Sequence, residues 1–108
     1  MKQYVYFFTR QDISPEQQLV QTAHVAASNA TFFSESILDI NRTYFIVLGV
    51  KNLEALKASM NILESFSFKY TYFVEPDLNN EITSIAVEPL YEDDPDIDIF
   101  KAFNLLKF

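Results

Sequence analysis

The chain has no cysteine and no tryptophan, one glycine and one histidine in 108 residues. Without cysteine there is no disulfide, no thiol nucleophile and no thiolate metal site. The single glycine, Gly49, excludes a P-loop, a dinucleotide-binding turn and any other phosphate cradle of flexible backbone, since each needs several glycines. One histidine and no cysteine also exclude a structural zinc site, and neither a metal nor an organic cofactor is expected. Basic residues are few: 8 Lys and Arg stand against 15 Asp and Glu, for a net charge of −7. Glu75, Asp77, Glu81, Glu88, Glu92, Asp93, Asp94, Asp96 and Asp98 follow one another with no Lys or Arg between them, and the stretch 75–98 is expected to form one acidic face. Nucleic acids bind clustered positive charge, so the overall field suits them poorly. No apolar run approaches the roughly 20 residues of a membrane span. The apolar segment in MKQYVYFFTRQD is too short for a secretory signal. No membrane contact and a cytoplasmic location are therefore expected.

What is present is apolar and aromatic. Hydrophobic residues make up 49% of the chain, with 11 Phe and 6 Tyr, a composition that folds around a core. The length suits a single domain over residues 1–108. QYVYFFT (3–9), TYFIVLGV (43–50), KYTYFVE (69–75) and ITSIAV (82–87) read as strands. The second is apolar throughout, as in a strand buried on both faces. TFFSESILDIN gives a loop with one short helix, Ser34 being a candidate cap. Asn52 can cap a helix carrying Leu53, Leu56, Met60 and Leu63 on one face. Asp94–Pro95 reads as the start of a closing helix that turns Ile97, Phe100, Phe103 and Leu106 inward. Strands alternating with helices give the α/β class: a three-layer α/β/α domain with a four-stranded mixed sheet and helices on both faces.

The first helix carries the clearest pattern. In SPEQQLVQTAHVAASNA, residues 14–30, Ser14 can cap, Pro15 suits the first helical position and Gln17 completes a capping box. Leu19, Val20, Ala23, Ala26, Ala27 and Ala30 fall on one narrow apolar face, which is expected to pack on the sheet. Gln17, Gln21, His24 and Ser28 form a polar stripe across the helix from it. The stripe has no Lys or Glu, the usual solvating residues, and so reads as the wall of a groove.

Several of these segments together resemble the type II peptidyl-tRNA hydrolases of archaea and eukaryotes. RQDIS (10–14) followed by QTAHVAA (21–27) is similar to that family's Arg-x-Asp-Leu and Ser-x-Gly-Lys-x-x-x-Gln-x-x-His-Ala. YFIVLGVKNLEALKASMNIL resembles its second strand and following helix, NEITSIAVEPL its Thr-Val-Leu-Ala-Ile-Gly-Pro strand, and IDIFKAFNLLKF its closing helix and tail. The likeness covers nearly the whole chain, in order, and agrees with the elements read above. It implies that family's fold, hydrolysis of the ester joining a peptide to tRNA, and a homodimer. Matched position by position, it carries over Arg10, Asp12, Ser14, Gln21, His24 and Thr83. The family lysine falls on Gln17, and EPDLNNE is shorter than the family's Asp-Ala-Gly-Arg-Thr-Gln loop.

Two functions follow. In an ester hydrolase, His24 serves as base or hydrogen-bond partner and Glu75 or Asp77 as the carboxylate. Gln17 and Gln21 place water, Thr83 assists at the carbonyl, and Arg10, Asp12, Ser14 and Ser28 hold substrate. In a non-catalytic binding or regulatory protein, the same groove or the acidic surface takes a protein or nucleic-acid partner instead.

Overall fold

A computed structural model describes residues 1–33 and 40–107. Its organising element is β1 (Gln3–Arg10), whose side chains are apolar in both directions. Val5 and Phe7 point to one side, Tyr6 and Phe8 to the other, and all four are buried. Such a strand must be covered on two faces, which fixes its place inside the sheet. β2 (Thr43–Val50) pairs with it in parallel, Gln3 opposite Thr43 through Arg10 opposite Val50. β4 (Glu81–Val87) pairs antiparallel on the other side, and β3 (Tyr70–Glu75) lies beyond β4.

Helix α1 (Pro15–Phe32) links β1 to β2 across one face. Helix α2 (Leu53–Ser65), capped by Asn52 Oδ1, which accepts from the Ala55 N–H, covers the other. Under α2 lies the larger core, with Leu56 and Leu63 packed on Tyr6, Phe8, Leu48, Ile85, Val87 and Phe100. The expected stripe holds here, since Leu53 and Met60 are partly buried beside them.

Among the described residues the sheet has six strands, not four. The four long ones run close to their expected bounds. β5 (Leu90–Tyr91) continues past Glu88–Pro89 to pair with the start of β1, Gln3 opposite Tyr91. Proline cannot donate to a ladder, so β4 and β5 are two pieces interrupted at Pro89. β6 (Asn104–Leu105) pairs antiparallel with β2, giving the order β3-β4-β1-β2-β6.

The closing α-helix is absent. Residues Ile97–Ala102 form a 3₁₀ helix, and the chain then extends into β6. Ile97, Phe100, Phe103 and Leu106 recur every third residue, which is the 3₁₀ period of three rather than 3.6. Asp94 does not cap an α-helix; its Oδ1 accepts from the Asp96 N–H at 2.9 Å in a local turn. The expected short helix with Ser34 lies outside the described residues, apart from a 3₁₀ turn at Ile40–Arg42. No helix among the described residues is long and apolar enough to cross a membrane.

Candidate functional site

Helix α1 begins as its sequence dictates. Ser14 Oγ accepts from the Gln17 N–H at 3.2 Å, and Pro15 occupies the first turn. From there the orientation is the reverse of the amphipathic expectation. Ala23 and Ala27 are exposed, Leu19 is 61% exposed and Val20 46%. The buried positions are Gln18, Gln21, Val25 and Asn29. The cause lies on the strands beneath, which present Thr9, Thr83 and Ser84, all fully buried, near the start of the helix. Buried hydroxyls need partners, and a polar helix face supplies them.

Gln21 is the centre of this layer and is itself fully buried. Its Oε1 accepts from Thr83 Oγ1 at 2.6 Å. Its Nε2 donates to Gln17 Oε1 at 3.1 Å and to Glu75 Oε1 at 3.3 Å. One amide thus uses both of its N–H groups and its oxygen, and the Glu75 carboxylate, an acceptor only, fixes which way the amide faces. Its main-chain carbonyl accepts from Ser84 Oγ at 2.8 Å, tying α1 to β4 through backbone as well. A second tie joins Thr9 Oγ1 to Thr22 Oγ1 at 2.7 Å, and the Thr22 hydroxyl donates to the Gln18 carbonyl.

An irregularity in the sheet makes this possible. Phe73 pairs with Ser84 and Val74 with Ile82, so Thr83 is an extra residue in β4. Strict alternation would turn Thr83 away from its neighbour Ser84; the bulge lets both hydroxyls meet Gln21.

Arg10 is closed off. Its Nε and Nη2 donate to the two oxygens of Asp12 at 2.9 and 2.8 Å. Nη1 donates to Glu81 Oε1 at 2.7 Å and to the Ile82 carbonyl at 3.2 Å. The hydrogen-bonded Asp12 carboxylate raises the Arg10 pKa, and Arg10 holds Asp12 below the usual carboxylate range. Four of its five N–H groups are engaged and one cation stands between two carboxylates, a poor place for a phosphate.

The remaining candidates spread along the flank of α1 that faces β3. His24, exposed, stacks its ring on Phe73 with centroids 4.3 Å apart and planes 2° from parallel. Ser28 lies farther on, in a cleft of about 460 Å³ with Phe33 and the consecutive residues Lys69, Tyr70, Thr71 and Tyr72. Asp77, on the 3₁₀ turn Pro76–Leu78, is exposed and outside the hydrogen-bonded group. The structure therefore brings Gln17, Gln21, Glu75 and Thr83 together, sets His24 beside them, and separates Asp77, Ser28 and the Arg10–Asp12 pair.

The acidic stretch 75–98 is not one face. Glu81 meets Arg10 at the end of β1, whereas Glu92 accepts from the Lys2 N–H at its beginning. The acids fall into two groups at opposite ends of the sheet. Residues that the sequence reading overlooked are Thr9, Gln18, Thr22 and Ser84. Their signal was Gln18 and Thr22 falling four apart beside Gln21, above strands whose inward positions carry hydroxyls. Among the described residues no three His, Asp or Glu side chains are grouped to hold a metal ion.

No family model matches the chain, and no curated protein matches it. In three dimensions it is similar to a protein of unknown function from Agrobacterium tumefaciens strain C58, with a TM-score of 0.71 over 99% of each chain at 15% sequence identity. At that identity the likeness is one of fold alone.

Proposed function

We propose that this chain is a divergent, cytoplasmic member of the type II peptidyl-tRNA hydrolase fold that keeps the buried scaffold of the site and acts as a binding protein for a protein partner, without ester hydrolysis. The fold assignment is supported by the order of the quoted motifs along β1, α1, β2, α2 and β4. The observation that carries the functional reading is the state of the polar groups. Gln21 and Thr83 are fully buried and hydrogen-bonded to one another, so neither reaches a substrate. What reaches the surface is Gln17, a neutral amide where the resemblance places a lysine, and the half-buried Glu75. Among the described residues grouped here, the one guanidinium is closed by Asp12 and Glu81. Developing negative charge on an ester carbonyl would meet a carboxylate and no free cation, the opposite of what stabilises it. Polyanionic RNA meets the same difficulty.

A single-turnover assay with a peptidyl-tRNA analogue, run beside a salt titration of tRNA binding, tests this. The expected result is hydrolysis at the uncatalysed rate and tRNA binding lost by about 0.15 M salt. The hydrolase reading is favoured by one observation, the meeting of Gln17, Glu75 and His24 on one flank. It would prevail if turnover were seen and were lost in His24→Ala and Glu75→Gln variants that kept their fold. Gln17→Lys, which restores the family cation, should then increase it.

A further inference from the structure

We propose that the free edge of β3 pairs antiparallel with the same edge of a second copy of this chain, joining two sheets across a two-fold axis at Tyr72. Among the described residues β3 ends the sheet and pairs only with β4. Such an edge offers unpaired N–H and C=O groups, which proteins blunt with charge, proline or a bulge in the edge strand. β3 has none of these over Tyr-Thr-Tyr-Phe-Val, residues 70–74, and its one neighbouring bulge belongs to β4. Tyr72 is 50% exposed and Val74 37%.

The charges stand at the two ends. Lys69 precedes the strand, exposed and in no salt bridge among the described residues, and Glu75 closes it with one carboxylate oxygen on Gln21. An antiparallel two-fold centred on Tyr72 sets Lys69 against Glu75 of the second copy, and Glu75 against its Lys69. A parallel pairing, or a slip by one residue, loses both contacts. A strand that is complementary to itself in this way fits an isologous interface, where opposite charges across the ladder add stability. An unrelated peptide would give no reason for this symmetry.

The surroundings agree. The cleft along the edge is lined by Lys69, Tyr70, Thr71 and Tyr72 in succession, so an added strand fills it. His24 over Phe73 places the stripe Val20, His24, Ala27 on the β3 side of α1. Joining the edges brings the two α1 helices onto one face of the continuous sheet, their exposed flanks turned toward each other. The family resemblance implies a homodimer; what is assigned here is the edge that forms it, and the assignment needs no ligand.

Sedimentation velocity of the intact chain between about 1 and 100 µM, the range for a small interface, tests it. The expected wild-type mass doubles with concentration. Lys69→Glu and Glu75→Lys should each sediment as monomers, and a one-to-one mixture of the two should recover the dimer, because each chain then supplies what the other lacks. Tyr72→Lys, at the axis, should be monomeric with an unchanged circular dichroism spectrum. A wild type that stays monomeric overturns the proposal. So does a dimer that survives Tyr72→Lys or Lys69→Glu, which would place the interface elsewhere. Should Glu75→Lys fail to fold, those two variants decide alone.

Discussion

The two faces of the sheet are built on different principles. Under α2 the strands meet Leu56, Leu63, Phe68 and Phe100 in an apolar core, with Tyr6 stacked on Phe100 at 3.9 Å and Phe8 edge-on to Phe103 at 4.8 Å. Under α1 the apolar cluster among the described residues is smaller, Val5, Phe7, Val25 and Ala86 with Ala26, Val47 and Phe73 partly buried against it, and beside it lies a layer of hydroxyls and amides. Non-directional burial dominates stability, whereas a hydrogen-bonded layer specifies geometry at a modest net gain. Among the described residues, the buried side-chain oxygens that find no protein partner, Gln18 Oε1, Asn29 Oδ1 and Thr71 Oγ1, all lie on the α1 side. One face holds the fold together. The other positions side chains.

Substitutions on the two faces should separate these roles. Phe8→Ala, which empties a fully buried position against two other rings, should destabilise by about 3–5 kcal/mol in a denaturant titration. Gln21→Leu should cost less, about 1–3 kcal/mol, because it leaves the Thr83 hydroxyl unpaired in a buried site while filling the same space. Its larger effect should be local: Gln17 and Glu75 lose the amide that joins them. Equal losses for the two variants would show that the polar layer contributes as much as the apolar core, and the contrast would fail.

The contrast also explains what could be read from the chain. The α2 side was legible because burial there coincides with apolar residues at regular spacing, as in Leu53, Leu56, Met60 and Leu63. β2, apolar throughout, is not buried on both faces as expected, since only Leu48 and Val50 are buried and Tyr44 and Phe45 are about half exposed. The α1 side inverts that rule. Alanine has little to bury, so four alanines on one stripe weigh less than the hydroxyls of Thr9, Thr83 and Ser84 that call for partners across the interface. Periodicity alone could not show that need, because the threonines and the serine come from strands far apart in sequence. Neither could it show the bulge that turns Thr83 inward. The grouping of Gln17, Gln21 and Glu75 is legible only through helical spacing and a resemblance of motifs, and apolar periodicity points to the face of α1 opposite to the one that meets the sheet. At the C-terminal end the three-residue spacing of Ile97, Phe100, Phe103 and Leu106 belongs to a 3₁₀ helix and an extended tail, not to the expected α-helix.

A smaller effect concerns the ion group at the rim of the polar face. Asp12 has a folded-state pKa below its ordinary 3.8, chiefly through its hydrogen bonds with Arg10. A depressed carboxylate contributes stability above its unfolded pKa and loses it as pH falls through the folded value. Asp12→Asn should therefore lower Tm at neutral pH, by an amount matching about 1 kcal/mol for a partly exposed pair. The difference between the two proteins should shrink below about pH 4 as the wild type loses the same interaction. A difference that stayed constant down to pH 2 would mean that the loss comes from packing, since that pH lies below the ordinary carboxylate range.

The smallest expected effect is the most direct check on how α1 is turned. Ala23 sits in the middle of the apolar stripe and is exposed. If the stripe faced the sheet, Ala23→Gln would force a long polar side chain into packed space and cost about 1–3 kcal/mol or more. With the helix as observed, glutamine at this position extends into solvent. The remaining terms are the slightly lower helix propensity of glutamine and a small change in solvation, together within about 0.5 kcal/mol. Val25→Gln makes the opposing arm, since Val25 is fully buried against the α1-side cluster and glutamine there must bury an amide with no partner built for it. The two positions are two residues apart on one helix and point in different directions. Chemical denaturation of the pair should give a near-wild-type midpoint for Ala23→Gln and a strongly lowered one for Val25→Gln. The reverse ranking would turn the helix over and take Gln21 out of the interior, and the site built around it would be lost with it.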